Sequence, residues 1–257
     1  MSVNSYLQSL GSSLVLNSSE KSSITKSIDT IKIRLTSYFG DEVIDKIVFG
    51  SYTRETILPR KADEESDIDL MVVFKNPYNY KPQTFLNRLK SFAEAKYSRS
   101  EIYQSSPTIV LELNHIKFEL VPAKILYGMY YIPKNSSEWM YTNPNDFNEK
   151  LIKCNKNNYY KIKPVIRLLK HWNIKNNSRQ LSSFELESKI ADEMAYAYIS
   201  CTSYTDYLIG GLNKFRTYYD DSQIDKTIKK INEALDYEKN NYPDTALSKI
   251  KEIFPEV

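Results

Sequence analysis

Cysteine is nearly missing from this chain: Cys154 and Cys201 are the two in 257 residues. A disulfide framework is excluded as the basis of the fold. The composition fits a reducing compartment, so a cytoplasmic location is expected. Histidine is equally scarce, with two copies, and scattered Cys and His lack the spacing of a structural zinc site. No apolar run approaches the length that crosses a bilayer, so no membrane partner is expected. The opening MSVNSYLQSLGSSLVLNSSEK has neither the basic start nor the long apolar centre of a secretory leader. Net charge is only +3, too little to argue by itself for a nucleic-acid partner. Internal repeats and long low-complexity linkers are absent too.

What remains is an ordinary globular composition, 41% hydrophobic and 26% charged, long enough for one large domain or two small ones with a real core. Tyrosine is abundant, with 21 copies, and suits amphipathic surface and core-edge positions.

The most informative stretch is FGSYTRETILPRKADEESDIDLMVVF, residues 49 to 74. The run Lys46-Ile47-Val48-Phe49 reads as a strand ending at Gly50-Ser51. Ile68 to Phe74 reads as a second strand, and alternation puts Asp67 and Asp69 on one face while Ile68, Leu70, Val72 and Phe74 take the other. Two adjacent carboxylates repel unless a cation neutralises them. Mg²⁺ with a nucleotide phosphate is the natural guest, since it takes one or two carboxylates plus phosphate oxygens. Gly50 permits close backbone approach, and Ser51 opens the next helix with N–H groups for an anion.

Around this motif the chain divides near residue 140. Residues 1–140 mix helix and strand: an amphipathic helix over 23–39, the two strands above, a helix over 82–98, and strands at 102–104, 108–113 and 116–121, the last two joined by a tight turn at Asn114-His115. Residues 141–257 are expected to be helical, over 159–175, 182–201, 204–218, 222–238 and 244–253. The Asn/Lys-rich stretches 153–160 and 173–180 are expected as loops or frayed ends. Pro164 argues for a late start to the helix at 159.

A third acid usually completes a two-metal phosphoryl-transfer site. Glu119 lies opposite the apolar face of Ile116, Phe118 and Leu120. Glu112 lies opposite that of Ile109, Leu111 and Leu113. Alternation alone leaves both open. In the helical part, Lys163, Arg167 and Lys170 form a basic stripe, which by itself is a solvated face as readily as a binding one. Ser182 and Glu185 read as a capping box, with Leu181 and Leu186 as its hydrophobic staple. Ser182 and Ser183 thus stand at a helix start suited to phosphate.

The Gly-Ser turn followed by an Asp-x-Asp strand resembles the polymerase-β-like nucleotidyltransferases. With Lys170-His171-Trp172-Asn173 and Ser182-Ser183, it resembles more narrowly the bacterial cGAS/DncV-like enzymes and the related oligoadenylate synthases. Relatives usually have Arg-Gly-Thr where this chain has Arg54-Glu55-Thr56, and Asp where it has Glu119. The resemblance implies an α+β fold, a nucleotidyltransferase core of mixed sheet plus a helical lobe, with the active site in the cleft between them. It implies Asp67, Asp69 and Glu119 as catalytic metal ligands for two Mg²⁺ ions, with Mn²⁺ as a substitute, and favours Glu119 as the third acid. Gly50, Ser51, Lys170 and Ser182 or Ser183 would contact the triphosphate. The implied activity is synthesis of a cyclic di- or oligonucleotide messenger from GTP or ATP in antiphage signalling. A 3′,3′-linked purine product such as cyclic di-GMP is expected, made by a monomer without an obligatory nucleic-acid activator and sensed by a separate effector protein. An RNA- or tRNA-directed nucleotidyltransferase and a non-catalytic nucleotide sensor are the rival readings.

Overall fold

The computed structural model describes residues 1–144, 146–193, 200–216 and 221–257. They form two compact units. One comprises Leu16–Arg54 and Glu65–Asp146; the other comprises Met1–Val15, Glu55–Glu64 and Phe147–Val257. The break expected at 140 falls near the 146/147 boundary. The N-terminus and the segment Glu55–Glu64, however, belong with the helical unit, a return of the chain that composition does not reveal.

The first unit is built on one mixed sheet of seven described strands: β1 (Val43–Phe49), β2 (Asp67–Phe74), β3 (Ile102–Ser105), β4 (Thr108–Glu112), β5 (Lys117–Leu126), β6 (Met129–Pro133) and β7 (Trp139–Thr142). The central order is β1-β2-β5-β4-β3, and β6 joins the end of β5 and carries β7. Strands β2 and β5 run parallel, so a crossover must connect them. Helix α4 (Pro82–Lys96) supplies it, followed by the β3–β4 hairpin. Pro82 sits at the start of α4, where its missing N–H costs nothing. Helix α2 (Ser18–Phe39) begins with a capping box of Asn17 and Glu20 and buries Ile24, Ile28, Ile31 and Leu35. Phe39, Phe74, Phe85 and Phe92 join α2, β2 and α4, with ring centroids 5.1, 4.8 and 5.8 Å apart along the chain of contacts. The opposite face of β2 changes character along its length. Asp67 and Asp69 are half-buried, whereas Met71 and Val73 pack with Ala123, Ile47, Phe49, Tyr130 and Ile132.

The helical unit contains α1 (Val3–Ser13), α5 (Asp146–Asn157), α6 (Ile162–Asn176), α7 (Ser183–Glu193), α8 (Tyr204–Asn213), α9 (Asp221–Lys239) and α10 (Pro243–Ile253). Its core centres on Trp172, Tyr207, Phe215 and Phe254, and includes Leu58 and Ala62 of the returning segment. Trp172 donates its indole N–H to Thr227 Oγ1 at 2.9 Å. Three consecutive carbonyls near the C-terminus are captured. Asn176 Nδ2 donates to Ile253, the Tyr6 hydroxyl to Phe254, and His171 Nε2 to Pro255.

Several expectations need correction. Residues 153–157 are helical rather than loop, because Leu151, Cys154 and Asn155 are buried on one face of α5 while Lys153, Lys156 and Asn157 are exposed on the other. Strands β6 and β7 and helix α1 were not expected. The helix begun at Gly50 is a single turn, α3 (Gly50–Thr53). The parts of the expected helices 182–201 and 204–218 that fall on 194–199 and 217–218 lie outside the described residues.

Candidate active site

The site is assembled by strand pairing. In β2 and β5, Asp67 is opposite Lys117 and Asp69 opposite Glu119. In β5 and β4, Lys117 is opposite Glu112 and Glu119 opposite Val110. Paired residues share a sheet face, and neighbouring strands lie about 5 Å apart. Two rows therefore cross the same face: Asp67–Lys117–Glu112, and Phe49–Asp69–Glu119–Val110. Glu119 is the direct neighbour of Asp69. Glu112 stands two strands from Asp67, about 10 Å away with Lys117 between them.

Gly50 closes the site from the end of β1. Its φ is +76°, in the region glycine tolerates best, and a Cβ there would lie 1.7 Å from Asp69 Oδ2. The Asp69 carboxylate thus occupies the space any side chain at 50 would need. Because α3 is one turn, its aligned dipole is short, and an anion contact at this turn rests on the Ser51 hydroxyl and local N–H groups. Asp67, Asp69 and Glu119 are all half-buried, reachable by solvent and ligand.

Among the described residues, no three acid, His or Cys side chains converge tightly enough to hold a metal on their own. The donor set suits an ion that takes one or two carboxylates and draws its other ligands from phosphate and water, as Mg²⁺ does. The close seat of Asp69 over Gly50 fits that ion, because it leaves a carboxylate beside the turn where a triphosphate would approach.

Lys117 is buried, and its Nζ lies 2.7 Å from Glu65 Oε2. Burial pulls its pKa down. The Glu65 hydrogen bond and the charges of Glu65 and Asp67 more than offset this, leaving it raised. Lys117 alternates with Phe118 and so shares the Glu119 face of β5.

Lys170, Ser182 and Ser183 lie in the other unit. Lys170 is engaged within its own unit. Lys170 is 5% exposed, and its ammonium donates to Glu187 Oε1 and to the carbonyl of Thr56. Thr56 Oγ1 donates to the same Glu187 oxygen at 2.7 Å. The rest of the basic stripe acts alike. Arg167 donates to the carbonyls of Gly11 and Glu55, and Lys163 pairs with the Glu55 carboxylate at 2.8 Å. Burial lowers the Arg167 pKa to about 10, still charged at neutral pH. The stripe is therefore not a solvated face; it holds the segment that returns from the sheet unit. Ser182 Oγ accepts from the Glu185 N–H at 3.2 Å, as a cap should, with Leu181 and Leu186 buried beside it. Ser183 begins α7. Phe184, which sequence reading passed over, follows them with 59% of its surface exposed and its ring edge-on to Phe147 at 5.3 Å.

No helix of the described residues is long and apolar enough to cross a membrane. Residues 1–155 match the model of the Second Messenger Oligonucleotide or Dinucleotide Synthetase domain. A probable cyclic nucleotide synthase of Bacillus cereus is 29% identical over 194 residues, which are 60% of this chain and 56% of that protein. A cyclic AMP-AMP-AMP synthase of an Acinetobacter species is 26% identical over 176 residues, covering 65% of this chain and 50% of that protein. The chain thus spans about half the length of these relatives. Among solved structures, E. coli MS115-1 CdnC in its complex with HORMA-deltaN superposes with TM-score 0.69 at 11% identity, covering 93% of this chain and 92% of that one. Bradyrhizobium diazoefficiens CdnG in complex with GTP gives TM-score 0.68 at 13% identity, covering 84% and 75%. At such identities the likeness is one of fold, an α+β nucleotidyltransferase architecture.

Proposed function

The chain belongs to the Second Messenger Oligonucleotide or Dinucleotide Synthetase family, and from that premise we propose that it links nucleoside triphosphates into a cyclic nucleotide messenger with release of pyrophosphate. The observation that carries this is the seat of Asp69 against Gly50, with Asp67 on the same strand and Glu119 beside it on β5.

Asp67, Asp69 and Glu119 would hold two Mg²⁺ ions, or Mn²⁺, which when bound supply charge neutralisation for the triphosphate. The remaining work belongs to the chain. Gly50 lets the phosphates approach the backbone, and Ser51 offers a hydroxyl to them. The family resemblance adds Lys170 and Ser182 or Ser183 as β- and γ-phosphate contacts. The 3′-hydroxyl oxygen of one nucleotide attacks the α-phosphorus of another. The new O–P bond forms as the bond to the bridging oxygen breaks, and pyrophosphate departs in line. Glu119 orients the hydroxyl and accepts its proton. Positioning and fixed charge do most of this chemistry. A second round closes the ring. Purine nucleotides, GTP and ATP, are the proposed substrates, and a 3′,3′-linked ring such as cyclic di-GMP the proposed product. A trinucleotide ring, as in the name of the Acinetobacter relative, uses the same step once more. The role in antiphage signalling, acting on a separate effector protein, rests on the family resemblance.

The test is incubation of the pure chain with the four ribonucleotides and Mg²⁺, with and without tRNA, followed by mass spectrometry. A cyclic purine product that disappears in the Asp67→Asn, Asp69→Asn double variant is expected. Products appearing only on tRNA ends would replace this reading with RNA-directed transfer. No incorporation under any condition would support a sensor instead.

A further inference from the structure

Lys117 is a buried cation within a cluster of acids. It is 7% exposed and shares the carboxylate face of β5 with Glu119. Its neighbours across the sheet are Asp67 on one side and Glu112 on the other. Its ammonium bonds Glu65, whose side chain is 61% exposed. Burying a lysine is costly unless its charge is matched, and a solvent-exposed glutamate is by itself a weak, screened partner. The rest of the compensation comes from the row in which Lys117 stands, with Asp67 one strand spacing away.

Asp67 therefore lies between two cationic demands: the resident ammonium and the divalent ion that the proposed reaction requires. We propose that Lys117 is a positioning residue that acts as counter-ion to Asp67 before the metal arrives, and so sets the affinity of the site for that metal. Glu65 is the acid that draws the ammonium away from Asp67. The inference rests on reading Asp67 and Asp69 as metal ligands.

Two substitutions should act in opposite directions. Lys117→Met removes a competing positive charge carried by the residue paired with Asp67 across the sheet, so divalent-metal binding tightens, by about tenfold for a partly solvated site. The metal-free protein loses stability because its acids are no longer offset, and added metal raises its melting temperature more than it does for wild type. Glu65→Gln frees the ammonium to lean on Asp67, so metal binding weakens by a few-fold. Lys117→Arg keeps the charge and stays within about twofold of wild type. A lysine that merely supported the strand would weaken metal binding on removal, in step with any loss of order.

The experiment is titration of the whole chain with Mn²⁺ without nucleotide, reading free ion by electron paramagnetic resonance, beside thermal melts with and without the ion. Asp67→Asn is run in parallel. Tighter binding by Lys117→Met together with weaker binding by Glu65→Gln supports the proposal. If Asp67→Asn abolishes binding but Lys117→Met binds no tighter than wild type, the counter-ion role is overturned while the metal reading stands. If Asp67→Asn binds Mn²⁺ as wild type does, the metal reading fails and takes this inference with it. Should Lys117→Met not fold, unchanged or tighter binding by Glu65→Gln overturns the proposal by itself.

Discussion

Lys170 of α6 and Glu187 of α7 form an ion pair in which Glu187 has no solvent-accessible surface, and both partners bond Thr56 of the segment returning from the sheet unit. The burial decides the energetics. Removing one partner strands the other's charge in a poorly solvated interior and costs about 3–5 kcal/mol. Removing both leaves no stranded charge, and costs the packing plus the two hydrogen bonds to Thr56.

Lys170→Met and Glu187→Leu are accordingly each expected to lose about 3–5 kcal/mol in urea denaturation. The double variant should recover most of that loss. A strictly additive double variant would show that the two side chains do not act as a pair.

Much of this architecture was legible in the chain, and the parts that were not share a cause. Alternation around Asp67 and Asp69 gave the face of β2 because a strand's side-chain period is local. The choice between Glu112 and Glu119 was not local: both alternate properly, and only the pairing of β2 with β5 puts Glu119 beside Asp69. The stripe Lys163, Arg167, Lys170 was readable as a stripe. Its partners, Glu55, Gly11, Thr56 and Glu187, come from other elements, so spacing along α6 could not name them. Helix α5 escaped notice because its many Lys and Asn residues read as loop, although Leu151 and Cys154 mark a buried face.

Glu55 has φ +60°, in the left-handed region, at the point where the chain enters the helical unit. A residue with a Cβ carries strain of about 1–2 kcal/mol there. Here its carboxylate pairs with Lys163 and its carbonyl accepts from Arg167. Glu55→Ala keeps the strain and loses the ion pair; Glu55→Gly loses both. The glycine variant should therefore be the more stable of the two by about 1 kcal/mol, and close to wild type. Equal or greater stability of the alanine variant would mean that the backbone relaxes out of this conformation.

His171 gives a pH dependence with a definite sign. Its ring is buried, Nε2 donates to the Pro255 carbonyl, and Nδ1 has no partner. Burial is the main cause that lowers its pKa, Lys175 adding to it and the Pro255 bond opposing. The folded state thus refuses a proton that the unfolded state accepts below about pH 6.5. Stability should fall as pH drops from there toward the folded pKa. Denaturation of wild type and His171→Gln between pH 7 and 5 should show a steeper loss for wild type, and parallel curves would remove His171 as the cause.

The third carboxylate is the last and most consequential prediction. Glu119 is one strand from Asp69, and Glu112 is separated from Asp67 by Lys117. If Glu119 orients and deprotonates the attacking hydroxyl, Glu119→Gln keeps its size and loses its charge. Turnover should drop by about 10²–10⁴, while triphosphate binding survives through Asp67, Asp69 and the turn at Gly50. Glu119→Asp should retain part of the activity, because a carboxylate one methylene shorter still faces the same neighbour. Glu112→Gln should change turnover little, since its direct cross-strand neighbour is an ammonium rather than a metal ligand. Single-turnover rates and nucleotide binding measured side by side for the three variants decide the matter. Loss of turnover in Glu112→Gln with activity kept in Glu119→Gln would move the third ligand to β4 and mean that the strand register does not govern this chemistry.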